Sequence, residues 1–125
     1  MVEGKFQEND IPVPVVPAVI SWNGGVQTPF FLLDTGFSGD IAVTEQLAIE
    51  LGLKFDGISS METPVGKIEN VKTATAFATM EGQTLYVTAI LIQGRPLLGI
   101  SFMEKFNYKA IVDCKNKKVS LEVVN

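Results

Sequence analysis

The residues in this chain best placed to do chemistry are Asp34-Thr35-Gly36. They follow the apolar run Phe30-Phe31-Leu32-Leu33 and lead into Ser38-Gly39-Asp40. A carboxylate at the end of a buried strand is costly unless it is hydrogen-bonded and put to use. The chain has no histidine and one cysteine, Cys114. That composition removes imidazole general-base chemistry, the Ser-His-Asp and Cys-His arrangements, and the common zinc sites. Proton transfer here falls to carboxylates. Asp40 and Glu45 have no further oxygen ligands at a calcium-loop spacing, so neither a metal nor any other cofactor is implied.

The elements that must position Asp34 are mostly strands. Residues 11–20 alternate proline with valine, which reads as an edge strand or extended arm because proline removes ladder donors. Asn23-Gly24 is a hairpin signal. A strand over residues 26–33 then ends at the Asp34 turn. Thr44 to Gly52 reads as a short helix, with Thr44 as N-cap, Glu45 at the positive end of the dipole and Gly52 as the stop. Residues 55–92 are β-rich, with turns at Thr63-Pro64-Val65-Gly66 and Glu81-Gly82. A loop over 93–96 enters Leu97-Leu98-Gly99. Ser101-Phe102-Met103-Glu104 matches a capping box opening a second short helix. Two strands, 110–113 and 119–124, close the chain around a Lys/Asn turn. The pattern predicts one domain over residues 1–125, mostly β, as a closed, barrel-like fold with two small helices.

An apolar run into Asp-Thr-Gly, paired with the downstream Pro96-Leu97-Leu98-Gly99-Ile100, resembles the retropepsin-like aspartic proteases. These are single-domain enzymes that work as homodimers, and the resemblance spans roughly residues 13–123. The Asp-Thr-Gly-Phe-Ser-Gly form is that of the cellular and prokaryotic relatives, since viral enzymes usually carry a small residue where Phe37 stands. The resemblance implies an aspartic endopeptidase acting on a peptide or protein. Two carboxylates sharing one proton would activate water and polarise the scissile carbonyl. Asp10, Asp40, Asp56 and Asp113 lack the turn context. Each chain then supplies Asp34 alone, and a two-fold homodimer brings the second.

Further roles follow from the same resemblance. Gly36 lets the backbone approach the carboxylates and can donate its N–H to one. The Thr35 hydroxyl would cross to the partner's backbone. Leu98 and Gly99 would support the loop from beneath. Ser38, Gly39 and Asp40 would line the cleft. A flap over residues 58–69, with Thr63, Pro64, Val65 and Gly66 at its tip, would close over an extended substrate; the turn at 79–84 is the competing flap. Phe37, either packed inside or narrowing the cleft, and the stiff Thr-Pro-Val-Gly tip keep a second reading open, a non-catalytic peptide- or protein-binding module on the same fold. A small β-barrel holding an apolar ligand is the third.

With 125 residues the chain has room for one core. Hydrophobic residues make up 46% of it and the mean hydropathy is +0.26. The net charge is −4 and the pI about 4.7, with Lys and Arg scattered, which disfavours a nucleic-acid partner. The stretch 11–20 is too short, and too broken by Pro12, Pro14 and Pro17, to span a membrane. Residues 1–10 are polar and unlike a signal peptide. A lone cysteine forms no internal disulfide. These features lead to the expectation of a cytoplasmic protein with no membrane partner.

Overall fold

The computed structural model describes residues 1–8, 11–63 and 65–125; Asp10 and Pro64 lie outside the described residues. Short runs of β-branched and aromatic residues, cut by glycine, asparagine and proline, give short strands. In chain order they are β1 (Val2–Glu3), β2 (Lys5–Gln7), β3 (Val13–Pro17), β4 (Val19–Trp22), β5 (Gly25–Gln27), β6 (Phe30–Leu33) and β7 (Ile41–Val43). Helix α1 (Glu45–Leu51) follows, then β8 (Gly57–Thr63), β9 (Gly66–Met80), β10 (Gln83–Leu91) and β11 (Leu97–Leu98). Helix α2 (Ile100–Lys105), β12 (Tyr108–Asp113) and β13 (Lys118–Val123) complete the fold. No helix among the described residues is long and apolar enough to cross a membrane.

The larger sheet has ten strands in the order β2-β3-β6-β11-β7-β10-β9-β4-β5, with β8 added on β9. A smaller sheet runs β1-β13-β12. The expected closed barrel is therefore corrected to a curled, open sheet, because its end strands β2 and β5 do not pair with each other. Each end is occupied differently. Gly25 of β5 lies against the backbone of Glu50 and Leu51 at the end of α1, where a Cβ would meet atoms at 3.3–3.4 Å. At the other end the chain turns from β2 into the smaller sheet through Gly4, whose N–H donates to the Val119 carbonyl at 2.9 Å. One continuous apolar cluster joins the two sheets, with Val16, Ile20, Phe31, Ile41, Ala76, Leu98, Phe102 and Leu121 fully buried.

Three local expectations are corrected. The proline-valine stretch is not an edge: β3 pairs with β2 on one side and β6 on the other. Successive N–H groups of a strand point to opposite neighbours, so each proline removes a bond to one side only and the ladder survives. The strand expected over 26–33 breaks at Pro29, and the chain changes partner there, from β4 for β5 to β3 for β6. The capping box is not used. Helix α2 starts two residues earlier than Phe102, its N-cap is Gly99 and no side chain caps it. The α1 reading agrees with the structure: Thr44 Oγ1 accepts from the Leu47 N–H at 3.3 Å, and Gly52 stops the helix at φ 66°. Glu81 and Gly82 both take positive φ (48° and 84°), the left-handed pair that a tight hairpin turn requires.

Candidate active site

Strand β6 delivers Asp34 to the surface. Beside it lies β11 in parallel, with Leu33 opposite Leu98. The ladder continues one step past the strand, where the Asp34 N–H donates to the Leu98 carbonyl at 3.0 Å. The chain then turns: the Phe37 N–H donates to the Asp34 carbonyl at 3.2 Å, with Thr35 and Gly36 between them. Within this turn the Gly36 N–H donates to Asp34 Oδ1 at 2.9 Å. A Cβ on Gly36 would stand 3.2 Å from that oxygen, so glycine is what lets the carboxylate settle over the peptide N–H.

Asp34 is partly exposed, and Thr35 and Gly36 are exposed. The second Asp34 oxygen and the Thr35 hydroxyl have no hydrogen-bond partner among the described residues. Both residues border an open cavity of about 250 Å³, whose walls include Leu33, Leu98, Ile100, Met103, Tyr108 and Ala110.

What fixes this turn is the start of α2. A helix leaves its first N–H groups without intrahelical partners. Here the loop after Asp34 supplies them: Gly99 N–H donates to the Asp40 carbonyl (2.9 Å), Ile100 to Phe37 (2.9 Å) and Ser101 to Gly39 (3.2 Å). Such close approach needs a glycine, since a Cβ on Gly99 would collide with the Gly39 and Phe37 carbonyl oxygens. Leu98, fully buried, and Gly99 thus lie directly against the Asp34 loop.

Phe37 is 2% exposed and turns inward. It joins Ala42, Val71 and Ile90 in a second apolar cluster, on which Met61, Ile92 and Leu97 also pack. Its ring sits in the space left by two glycines: a Cβ on Gly39 would lie 2.6 Å from Cζ, and one on Gly99 2.8 Å from Cδ2. The cluster links the turn after Asp34 to the root of the β8–β9 hairpin.

The structure divides the residues singled out from sequence. Asp34, Thr35, Gly36, Leu98 and Gly99 come together. Ser38 is exposed and Gly39 partly so, on the loop that follows. Asp40 does not line an open wall. Its carboxylate is 4% exposed, accepts the Thr88 N–H at 2.8 Å and receives Lys105 Nζ at 2.6 Å, all through Oδ2. Thr63, Val65 and Gly66 form the tip of the β8–β9 hairpin, and Pro64 lies outside the described residues. At that tip Thr63 Oγ1 donates to the Gly66 carbonyl at 2.8 Å and Val65 is 97% exposed.

The competing turn is tied down. Glu81 Oε1 accepts the Tyr108 hydroxyl at 2.7 Å and Oε2 pairs with the Met1 ammonium at 2.7 Å. Those two bonds, the ammonium first, hold the Glu81 carboxyl below its ordinary range. Burial and the Glu81 bond push the Tyr108 phenol up. Sequence reasoning missed Lys105 and Tyr108. Lys105 stands 65 residues from Asp40 and carries no motif, so only the folded chain reveals the pair.

No protein-family model matches the chain, and no curated protein matches it. A solved structure does: a retropepsin-like aspartic protease from Rickettsia conorii, with a TM-score of 0.57 and 19% sequence identity, over 98% of this chain and 91% of that one. At that identity the likeness concerns the fold. This chain folds as a retropepsin-like aspartic protease does, with no large segment of either chain left over.

Proposed function

We propose that this chain is one half of an aspartic endopeptidase, in which Asp34 from each of two identical subunits forms the catalytic pair. The observation that carries the reading is the state of Asp34. One carboxylate oxygen is held by the Gly36 N–H, the other has no partner among the described residues, and the group stands at an open cavity. A lone ionised carboxylate can take a proton from water but has none to give to the scissile carbonyl oxygen. Two facing each other share one proton, because like charges about 3 Å apart do not both ionise.

The ionised carboxylate takes a proton from water as the water oxygen bonds to the scissile carbonyl carbon. The protonated one gives its proton to the carbonyl oxygen. The tetrahedral diol then collapses with cleavage of the C–N bond: the carboxyl protonated by the water gives its proton to the leaving amine, and the ionised one takes the proton of the diol hydroxyl that becomes the new carbonyl, which restores the singly protonated pair. The β8–β9 hairpin is the flap in this reading. Its tip is exposed and its root meets the Phe37 cluster, whereas the turn at Glu81 is bonded to Tyr108. A blocked cleft would favour the non-catalytic module, but Phe37 is buried and narrows nothing.

The test is incubation of the purified protein with an unfolded polypeptide. Cleavage that disappears in Asp34→Asn, together with tight binding of a peptide analogue carrying a hydroxyl at the scissile carbon, supports the reading. Cleavage that persists in Asp34→Asn overturns it.

A further inference from the structure

Strand pairing lays an apolar strip along one face of the larger sheet. Leu32 of β6 is opposite Leu97 of β11, Leu97 is opposite Ala42 of β7, and Ala42 is opposite Ile90 of β10. Opposite residues in a ladder share a face, as do residues two apart along a strand. Asp34 stands two residues beyond Leu32, and its N–H carries the ladder one step further, so it continues this face. Exposure along the strip is uneven. Leu32 and Leu97 are half-buried, whereas Ala42 and Ile90 are buried. Phe37 packs on that buried end, together with Val71 and Met61 from the root of the β8–β9 hairpin. These residues form a cluster apart from the one that joins the two sheets. Gly39 and Gly99 lack a Cβ where the ring lies, so backbone alone shapes its seat.

We propose that Phe37 determines specificity: its ring fills a side-chain recess in the floor beside Asp34, so the site takes polypeptides with glycine, alanine or serine at the position that points there. This deepens the reading above and rests on it, since the strip is a substrate floor only if Asp34 acts on an extended chain held under the hairpin. An extended substrate turns alternate side chains toward the floor. A side chain directed at Leu32 and Leu97 meets half-buried apolar surface, which a large residue can cover. A side chain directed at the recess meets Phe37. That ring cannot retreat, because the places where Gly39 and Gly99 would carry a Cβ already lie 2.6 Å and 2.8 Å from its atoms. Adding a large side chain to a filled space forces strained rotamers or backbone shifts. The ring is buried, so the path of the substrate backbone stays clear and only the recess is lost.

The test uses Asp34→Asn chains, which leave bound peptides intact, and a mixture of octapeptides randomised at every position. Peptides retained by the immobilised protein are sequenced, and the residue preference at each position is compared with that of the double variant Asp34→Asn, Phe37→Ala. At one position the parent should favour glycine, alanine and serine. There the double variant should enrich phenylalanine, leucine and methionine about tenfold, with preferences elsewhere unchanged. A change in the amount of folded protein moves all peptides together and leaves this ratio alone, so a merely structural role for Phe37 does not produce the shift. Phe37→Leu removes less volume and carries the test if Phe37→Ala does not fold; it should shift the same position toward valine, by less. Identical profiles in all variants, or retention of no peptide by the parent, overturns the proposal. A shifted profile in a protein whose Asp34-bearing form cleaves no polypeptide keeps the filled recess and removes the protease reading. Cleavage by the Asp34-bearing form with identical profiles does the reverse.

Discussion

The carboxylate of Asp40 and the ammonium of Lys105 meet at 2.6 Å and tie the loop that carries Asp34 to the last turn of α2. Asp40 stands one residue before β7, which pairs with β10 only over Ala89 to Leu91. Below that point the Asp40 carboxylate accepts the Thr88 N–H, and Lys105 also donates to the Tyr86 carbonyl at 3.4 Å. The two side chains thus stand in for a strand along the open edge of β10. Among the described residues Asp40 Oδ1 is buried without a hydrogen-bond partner, and Lys105 is the cation beside the carboxylate.

Removing Lys105 leaves that carboxylate without its counter-ion. Lysine 105 itself is 40% exposed, so water offsets part of the loss. We expect Lys105→Met to destabilise the protein by about 2 kcal/mol, below the cost of breaking a fully buried pair. Asp40→Asn, which retains an acceptor for Thr88, should cost less than Asp40→Ala. Chemical denaturation checks both, and an unchanged midpoint in Lys105→Met would contradict the assignment.

Phe37, Gly39 and Gly99 fit as a unit. Phe37→Ala should cost about 3 kcal/mol through the cavity it leaves. Gly39→Ala should cost about 2 kcal/mol by pushing a methyl into the ring. In Gly39→Ala combined with Phe37→Leu the two costs should fall short of their sum, since the smaller side chain makes room. Additive losses in a double-mutant cycle would show that the ring and Gly39 do not share the space.

The β8–β9 hairpin contains a device that separates its tip from its root. Its register shifts between Ser59 and Met61, and Asn70 on the facing strand adopts φ 58°. Residues 66–70 are exposed, while Val71 is buried. A bulge of this kind twists and re-aims the strand beyond it. Asparagine tolerates the left-handed conformation and a β-branched residue does not. Asn70→Val should speed amide exchange across residues 57–72, and Asn70→Gly should leave it close to the wild-type rate. Equal exchange in both variants would mean that the left-handed residue does not set the bend.

Alkaline pH should act through Tyr108. Its phenol is raised by burial and by the bond to Glu81, so the folded state holds that proton more tightly than the unfolded chain. Stability from this group is fully present below the ordinary phenol range near 10, and is lost as pH rises from there toward the folded value. Tyr108→Phe should be less stable at neutral pH by about 1 kcal/mol, the worth of its hydrogen bond. It should also lose less stability than the parent protein between neutral and strongly alkaline pH. A parallel decline in the two proteins would remove Tyr108 as the cause.

Local patterns in the sequence announced some of this architecture and could not announce the rest. The Thr44 cap, the Gly52 stop and the Glu81-Gly82 turn are short-range features, and each appears where its residues indicate. Asp34 against Leu98 and Gly99 was readable because both carry motifs. Strand partners were harder, because they depend on residues far apart. Pro29 breaks a run that otherwise reads as continuous, and β2 covers a proline-bearing strand that reads as an edge. Asp40 was misplaced for the same reason. Its position after Ser38-Gly39 suggests a cleft wall, and only Lys105 and Thr88, distant in the chain, draw it inside. Whether the sheet closes depends on what meets β2 and β5, which no local pattern encodes.

Subunit mixing tests the shared Asp34 pair most directly. Wild-type and Asp34→Asn chains, exchanged at constant total concentration, form dimers with two, one or no aspartates at the centre. If both carboxylates are required, peptide cleavage follows the square of the wild-type fraction, so an equal mixture retains about one quarter of the activity. Retention of about one half, the linear result expected when each chain works alone, would contradict the account.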